Sequence, residues 1–196
     1  MKFRIEHLIK SSVFVYIFFL LYKFLLLSSS SINLDISKEV ERSAFVLKPI
    51  NKSIGKFIIG AKTSNKEISI TFDDGPVRNT KNIINLLKEL ECPATFFVVT
   101  KNLSLKDSEI YKNSLFEVGI HCYVHDDYTK YSFEKMLSEI EKSKHIFKSF
   151  GLYSKYFRPP YGKMNFNLGK ALKVNSLIGI MWSLDSDDWK SSNEEP

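Results

Sequence analysis

The hexapeptide Thr71-Phe72-Asp73-Asp74-Gly75-Pro76 constrains this chain more than any other stretch. Alternating polar and apolar residues from Glu67 to Phe72 predict a half-buried strand before it. Two adjacent carboxylates follow that strand at once, and the glycine and proline after them break regular structure. Adjacent acids repel each other unless a cation or a basic group lies between them. The stretch is therefore either a solvated turn or part of a functional site.

The N-terminal region predicts export. Basic residues precede Val13, the chain from Val13 to Leu27 is apolar apart from Lys23, and four serines follow. This order is typical of a secretory signal, and a tilted membrane anchor is the alternative. In both cases we expect the domain to lie outside the cytoplasm, either secreted or membrane-anchored. We divide the chain into a signal or anchor (1–31), a linker (32–53) and one domain (54–196).

Charge and cysteine content exclude some classes of function. The formal charge is +6, but the basic residues form no stripe that would follow a phosphate backbone, so we expect no nucleic-acid partner. Cys92 and Cys122 lack the close spacing of a zinc knuckle or a thioredoxin-like site. We expect two free thiols, with a single disulfide as the alternative.

Strand and helix patterns alternate through the domain, which predicts a parallel sheet covered by helices. The predicted strands are 57–59, 67–72, 94–99, 118–121, 155–158 and 178–183, and the predicted helices are 79–91, 107–116, 132–150 and 165–173. Polar residues stand where several of these strands end, namely Asp73, Asp74, His121, Arg158 and Asp185. Because sites form at the carboxyl ends of parallel strands, we expect these residues to share a pocket.

Two histidines indicate the chemistry of that pocket. His121 and His125 are four residues apart, and with one carboxylate they form the ligand set of a catalytic zinc site. The pair alone is weak evidence, since a structural role is the more common explanation of such spacing. Beside Asp73 and Asp74, however, it suggests that one acid binds a metal while the other acts as a base.

Further residues support the base or line the pocket. Arg158 can hold a carboxylate in its ionised state, and the prolines after it orient the Tyr161 N–H toward an oxyanion, although a rigid turn also explains them. Asp185 and Asp188 lie near Trp189; Asp185 can support the arginine, and the tryptophan is either a pocket wall or a core residue. His145 lies off the apolar stripe of its helix, so we expect it to face solvent.

The stretches TFDDGP, HCYVH, RPPYG and DSDDW, in this order, resemble the successive motifs of the NodB-homology polysaccharide deacetylases, carbohydrate esterase family 4. The resemblance runs from Ile68 to Trp189. It implies a distorted (β/α) barrel and metal-dependent removal of N-linked or O-linked acetyl groups from a polysaccharide such as peptidoglycan or a chitin-like polymer. It implies these roles by position: Asp73 as base; Asp74, His121 and His125 as ligands of a divalent metal, with Zn²⁺ favoured over Co²⁺ and Ni²⁺; Arg158 as the residue that orients the base; Tyr161 as oxyanion donor and substrate contact; Asp185 as support for the arginine; and Trp189 as substrate-binding wall.

The chain departs from the family pattern at two points. Cys122 stands where the family usually has a serine or threonine that braces the loop, and a thiol is a weaker hydrogen-bonding group. The family's Leu-x-His motif, whose histidine protonates the leaving amine, is absent from the sequence, and losing a general acid typically costs about 10²- to 10⁴-fold in rate. We therefore expect a barrel that is incomplete at the C-terminus. A truncated homologue that is weakly active or inactive, and only binds metal or glycan, is the alternative function.

Overall fold

The computed structural model describes residues 46–47, 54–60 and 67–190. Described residues up to Met181 belong to one compact unit, and residues 182–190 belong to a second. The predicted signal or anchor lies outside the described residues, as does the linker apart from Val46–Leu47. Among the helices that the structure describes, none has the length and apolar character needed to cross a membrane.

The described part of the larger unit contains a seven-stranded sheet with helices between most of its strands. In chain order the strands are β1 Val46–Leu47, β2 Phe57–Ile58, β3 Thr71–Gly75, β4 Ala94–Val99, β5 Phe116–Cys122, β6 Tyr156–Phe157 and β7 Ile178–Ile180. Their order across the sheet is β1-β2-β7-β6-β5-β4-β3. Only the β1–β2 pair of this sheet is antiparallel, and among the described residues the sheet remains open between β1 and β3. The predicted α/β architecture is confirmed.

Four α-helices connect the parallel strands: α1 Thr80–Glu89, α2 Leu105–Ile110, α3 Phe133–Ser149 and α4 Phe166–Val174. The predicted long helix is confirmed as α3. Its start is capped by the Ser132 hydroxyl, which accepts a hydrogen bond from the Lys135 N–H, and Gly151 follows its end with φ 71°. Met136, Ile140 and Phe147 are its buried apolar residues. His145 is exposed on the same helix, as predicted.

The bounds of strand β3 and helix α2, and the buried face of helix α1, differ from the predictions. Strand β3 runs through the two acids instead of ending before them. Helix α2 is shorter than predicted, because Phe116 already begins β5. The apolar residues of the predicted helix 79–91 do not all face the sheet. Ile84 and Leu87 of α1 are buried, whereas Leu86 and, just after the helix, Leu90 are exposed.

Glycine positions show how closely the strands approach each other. A Cβ atom at Gly119 of β5 would lie 2.4 Å from the Phe97 ring of β4, and one at Gly179 of β7 would lie 2.1 Å from the Phe57 ring of β2. Both phenylalanines are almost completely buried. The missing side chains thus make room for large rings on neighbouring strands, and the rings fill the core.

The sheet curves strongly around Arg158, which follows β6. The arginine donates to the carbonyl oxygens of Ile180 and Met181 near the end of β7, and also to Thr71 and Asp73 of β3. Strands β7 and β3 are four positions apart, so in a flat sheet about 19 Å would separate them. One side chain reaches both, so the sheet is rolled toward a barrel. This agrees with a distorted, incompletely closed (β/α) barrel.

Candidate metal centre and catalytic base

Asp74, His121 and His125 form a compact group of potential metal ligands. Asp74 Oδ1 lies 3.2 Å from Nε2 of each histidine, and the ligand atoms of all three residues lie within 4.8 Å of one another. His121 is buried, His125 is partly exposed and Asp74 is open to solvent. Two imidazole nitrogens and one carboxylate oxygen converging from one side match the chemistry of a divalent cation site with open positions.

Irregularities in two strands bring these ligands together. From Phe72 to Gly75, β3 advances three residues while its partner β4 advances two, so the stretch with both acids contains one extra residue. Asp74 also has a left-handed backbone, with φ 66°. In a regular strand adjacent side chains point to opposite faces. The bulge allows Asp73 and Asp74 to serve neighbouring parts of one site.

A second bulge lies in β5 at His121. Here β5 advances from Ile120 to Cys122 while β4 advances only from Val98 to Val99, so His121 is the extra residue. Such bulges are uncommon between parallel strands and often redirect a side chain beside an active site. In both β3 and β5, the bulge therefore lies in the stretch that supplies a potential metal ligand.

A backbone contact orients the His121 ring. Its Nδ1 lies 2.7 Å from the carbonyl oxygen of Arg158. Since a carbonyl only accepts, Nδ1 carries the hydrogen in this contact, and in the neutral ring the lone pair is then on Nε2. Interaction with His121 lowers the pKa of the Asp74 carboxyl, against an opposing effect of burial. The carboxyl is therefore in its anionic, metal-binding form at neutral pH.

Asp73 is paired with a buried arginine. Arg158 Nη1 donates to Asp73 Oδ1 at 2.8 Å, and the Arg158 side chain is 3% exposed whereas that of Asp73 is 30% exposed. The guanidinium also lies 4.0 Å from the centre of the Phe97 ring. Burial lowers the pKa of Arg158, and the charge of Asp73 opposes that shift. One residue therefore links both halves of the site, through its side chain to Asp73 and through its carbonyl to His121.

Tyr161 lies next to the histidines in a strained loop. The residue has φ 59° and ψ 12°, a left-handed conformation that costs a non-glycine residue roughly 1–2 kcal/mol. Pro159 and Pro160 before it are buried, while the tyrosine itself is exposed. Its ring contacts the His125 imidazole edge-on, with 4.6 Å between the ring centres. Strain of this kind at a non-glycine residue suggests a functional reason for the conformation.

The loop after β5 is braced without a hydroxyl at Cys122. The Thr100 hydroxyl lies 3.0 Å from the Cys122 carbonyl oxygen, and the Tyr123 N–H donates to the buried Tyr128 hydroxyl at 3.0 Å. Cys122 is a fully buried free thiol, and burial raises its pKa. Cys92 is also a free cysteine, as expected. Hydrogen bonds to the backbone of Cys122 and Tyr123 thus hold this part of the loop, where the Cys122 thiol was expected to be a weak hydrogen-bonding group.

The remaining predicted residues belong to the smaller unit. Asp185 accepts a hydrogen bond from the Asp187 N–H at 2.9 Å, and Asp188–Lys190 forms a 3₁₀ turn. The Lys190 ammonium lies 5.0 Å from the centre of the Trp189 ring. The roles of Asp185 and Trp189 in the pocket remain predictions.

Sequence reasoning missed three residues that support the site. The Thr71 hydroxyl accepts from Arg158 Nη1 at 2.7 Å. Asp127 and Lys163 form an ion pair of 2.8 Å between the loops that carry His125 and Tyr161. Thr71 lies within a motif that was already noticed. In contrast, no spacing rule connects Asp127 with Lys163, because they meet only in three dimensions.

Comparison with known proteins identifies the family. The polysaccharide deacetylase family profile matches residues 60–177, so the chain belongs to this family. It is 36% identical over 138 residues to the peptidoglycan-N-acetylglucosamine deacetylase PgdA of Listeria monocytogenes, covering 68% of this chain and 28% of that protein. It is 36% identical over 132 residues to chitin deacetylase 1 of Saccharomyces cerevisiae, covering 65% and 42% respectively. The chain thus spans less than half the length of these curated relatives.

Solved structures support the same assignment. A family 4 carbohydrate esterase from Streptomyces lividans, solved in complex with acetate, aligns with a TM-score of 0.59 and 29% identity. The alignment covers 64% of this chain and 67% of the esterase. The predicted family and fold are therefore confirmed.

Proposed function

We propose that this polysaccharide deacetylase family member removes acetyl groups from an N-acetylglucosamine-containing polysaccharide such as peptidoglycan, using a divalent metal, with Zn²⁺ favoured. The separation of the two adjacent acids is the main support for this proposal. Asp74 lies 3.2 Å from both histidine nitrogens, whereas Asp73 lies 2.8 Å from a buried arginine. One carboxylate is thus available as a ligand, and the other remains available as a base.

The metal would be held by Asp74, His121 and His125, whose donor atoms suit Zn²⁺ and also accept Co²⁺ or Ni²⁺. When bound, a divalent cation supplies Lewis-acid chemistry by polarising a carbonyl and lowering the pKa of water. The Arg158 carbonyl holds the His121 ring so that Nε2 faces the site. This contact supports metal binding without taking part in the reaction itself.

Asp73 and Tyr161 then have separate roles in the reaction: one accepts a proton, and the other stabilises a developing negative charge. Asp73, oriented by the Arg158 guanidinium, takes the proton of the attacking water. The carbon–nitrogen bond of the acetamide breaks after water adds to its carbonyl carbon, and the proton that Asp73 took from that water passes to the leaving amine nitrogen. The Tyr161 N–H donates to the carbonyl oxygen as negative charge develops there. The left-handed backbone at Tyr161 supports this assignment, because it sets the direction of that N–H.

The proposal also includes the substrate and the location of the protein. The relatives are named for acting on peptidoglycan N-acetylglucosamine and on chitin, which share an N-acetylated sugar. The exposed Tyr161 ring beside His125 offers an apolar surface for such a sugar, and Trp189 is proposed as a second one. The basic and apolar N-terminal segment supports a location outside the cytoplasm, secreted or held at the membrane.

Acetate release tests the proposal. Purified full-length chain supplied with Zn²⁺ or Co²⁺ should release acetate from an N-acetylglucosamine oligomer, and a chelator should stop the release. Asp73→Asn should abolish most of the release while leaving Co²⁺ binding intact, because the asparagine cannot accept the proton. Asp74→Asn should weaken Co²⁺ binding itself.

Two results would contradict these assignments. If Asp73→Asn releases as much acetate as the parent, Asp73 is not the base. If the parent binds Co²⁺ but releases no acetate from N-acetylated or O-acetylated glycans, the chain is instead a homologue that only binds metal or glycan.

A further inference from the structure

His125 lies in an irregular loop that needs support from elsewhere. The loop follows β5 and contains a 3₁₀ turn at Tyr128–Lys130. A second loop, between β6 and α4, carries Tyr161. For both residues to act at one site, the two loops must keep a fixed position relative to each other, because neither residue lies within an α-helix or a strand of the sheet.

Three polar contacts, which we call the inter-loop contacts, join these loops, and one of them links the two site residues directly, because the Tyr161 hydroxyl donates to the His125 carbonyl oxygen at 3.4 Å. The Lys163 ammonium donates to Asp127 Oδ2 at 2.8 Å, and Asn165 Nδ2 donates to the Thr129 carbonyl oxygen at 3.1 Å. Lys163 and Asn165 both lie just before α4, and the Asn165 Oδ1 also caps this helix by accepting from the Leu168 N–H at 2.8 Å. The second loop is thereby tied both to its own helix and to the loop of His125.

The two oxygens of Asp127 perform different tasks. Oδ1 accepts from the N–H and the hydroxyl of Thr129 and so shapes the turn two residues after His125. Oδ2 binds Lys163, two residues after Tyr161. The Asp127 side chain is 11% exposed, so this ion pair is less screened by water than a fully exposed one.

We infer that Asp127 and Lys163 are positioning residues that hold His125 and Tyr161 in register with each other. The inference rests on the proposed function, since it assigns His125 to the metal and Tyr161 to the oxyanion. The rings of His125 and Tyr161 contact each other, with 4.6 Å between their centres, and this contact depends on the relative position of the two loops.

The test compares Lys163→Met with a matched control. Lys142 and Glu139 form an ion pair of 2.9 Å within α3, with side chains 51% and 10% exposed, against 52% and 11% for Lys163 and Asp127. Lys142→Met therefore removes an equivalent ion pair that lies within one helix, while the methionine keeps an apolar side chain against the Tyr123 ring, whose centre lies 5.3 Å from the Lys142 ammonium. Binding of Co²⁺ to the full-length chain, followed by its visible absorption, serves as the readout, and thermal unfolding of each variant checks folding.

We expect Lys163→Met to weaken Co²⁺ binding by roughly 3- to 10-fold, less than the roughly 10- to 100-fold effect of removing a partner of a ligand itself, because Lys163 acts on His125 through Asp127. Lys142→Met should leave Co²⁺ binding unchanged, and Lys163→Arg, which keeps the cation, should restore binding close to that of the parent. The inference is overturned if Lys163→Met and Lys142→Met bind Co²⁺ equally well.

Activity is a separate readout. If the parent releases no acetate and Lys163→Met still weakens Co²⁺ binding, the proposed reaction fails while the positioning role stands. If the parent is active and Lys163→Met changes neither Co²⁺ binding nor acetate release, the positioning role fails while the proposed reaction stands.

Discussion

Replacing Arg158 with methionine should be among the most damaging single changes in the described part of the chain. The guanidinium is almost completely buried and donates to four acceptors: the Thr71 hydroxyl, the Asp73 carboxylate and the carbonyl oxygens of Ile180 and Met181. Removing one partner of a buried charge pair costs about 3–5 kcal/mol. Asp73 is 30% exposed and can regain water, so we expect a loss near about 3 kcal/mol in the free energy of unfolding.

Arg158→Lys tests whether the positive charge at this position is sufficient without the hydrogen-bonding geometry of the guanidinium. A lysine keeps the cation beside Asp73, but a single ammonium cannot reach acceptors on both β3 and β7. We expect a loss of about 2 kcal/mol in the free energy of unfolding, reflecting hydrogen bonds to a charged group that are not replaced. A typical domain is stable by about 5–15 kcal/mol, so both variants should still fold.

Urea unfolding followed by circular dichroism measures these differences, with Lys142→Met as the control for an ion pair within one helix, expected to cost less stability than either arginine variant. Acetate release should fall in both arginine variants, because Asp73 loses the group that orients it. If Arg158→Met loses no more stability than the control, the sheet does not depend on this arginine and the reasoning is wrong.

Three further predictions concern other parts of the fold. Tyr128→Phe should cost about 1–3 kcal/mol of unfolding free energy, because it leaves a backbone N–H without its acceptor. Tyr111→Phe should cost less, because the buried Tyr111 hydroxyl interacts with Thr80 but makes no hydrogen bond of normal geometry, and equal losses in urea unfolding would contradict this. Hydrogen bonds from Lys163 and then Thr129 lower the pKa of Asp127 from 3.8 to about 2, so its contribution to stability is complete above about pH 4 and is lost as the pH falls toward 2. Asp127→Asn should therefore lose less stability than the parent over that range, and an identical pH dependence would refute this. Tyr161→Gly should raise the melting temperature through relief of about 1 kcal/mol of backbone strain, and a lowered one would indicate that the ring packs more tightly than its exposure suggests.

Several elements could be predicted because their signals are local. The long helix α3 combined a serine cap, an apolar stripe and a terminal glycine, and all three features occur where they were expected. The buried strand β4 was equally clear from its unbroken apolar run. Strand β3 was harder, because the alternation before the acids predicts a strand that ends at Phe72, whereas the bulge lets it continue to Gly75. A bulge depends on the partner strand, which no local pattern describes.

The sequence alone determined the types of chemical group, their order and the family to which they belong. Two acids, two spaced histidines and an arginine before two prolines led to the prediction of a metal site with a separate base, because those residue types have few other joint uses. Only the tertiary structure decided which atoms meet. The curvature of the sheet brings Arg158 to both β7 and β3, the bulges turn Asp74 and His121 toward His125, and Lys163 reaches Asp127 across 36 residues of sequence. These contacts arise because strand order and twist bring distant residues together, which spacing along the chain does not encode.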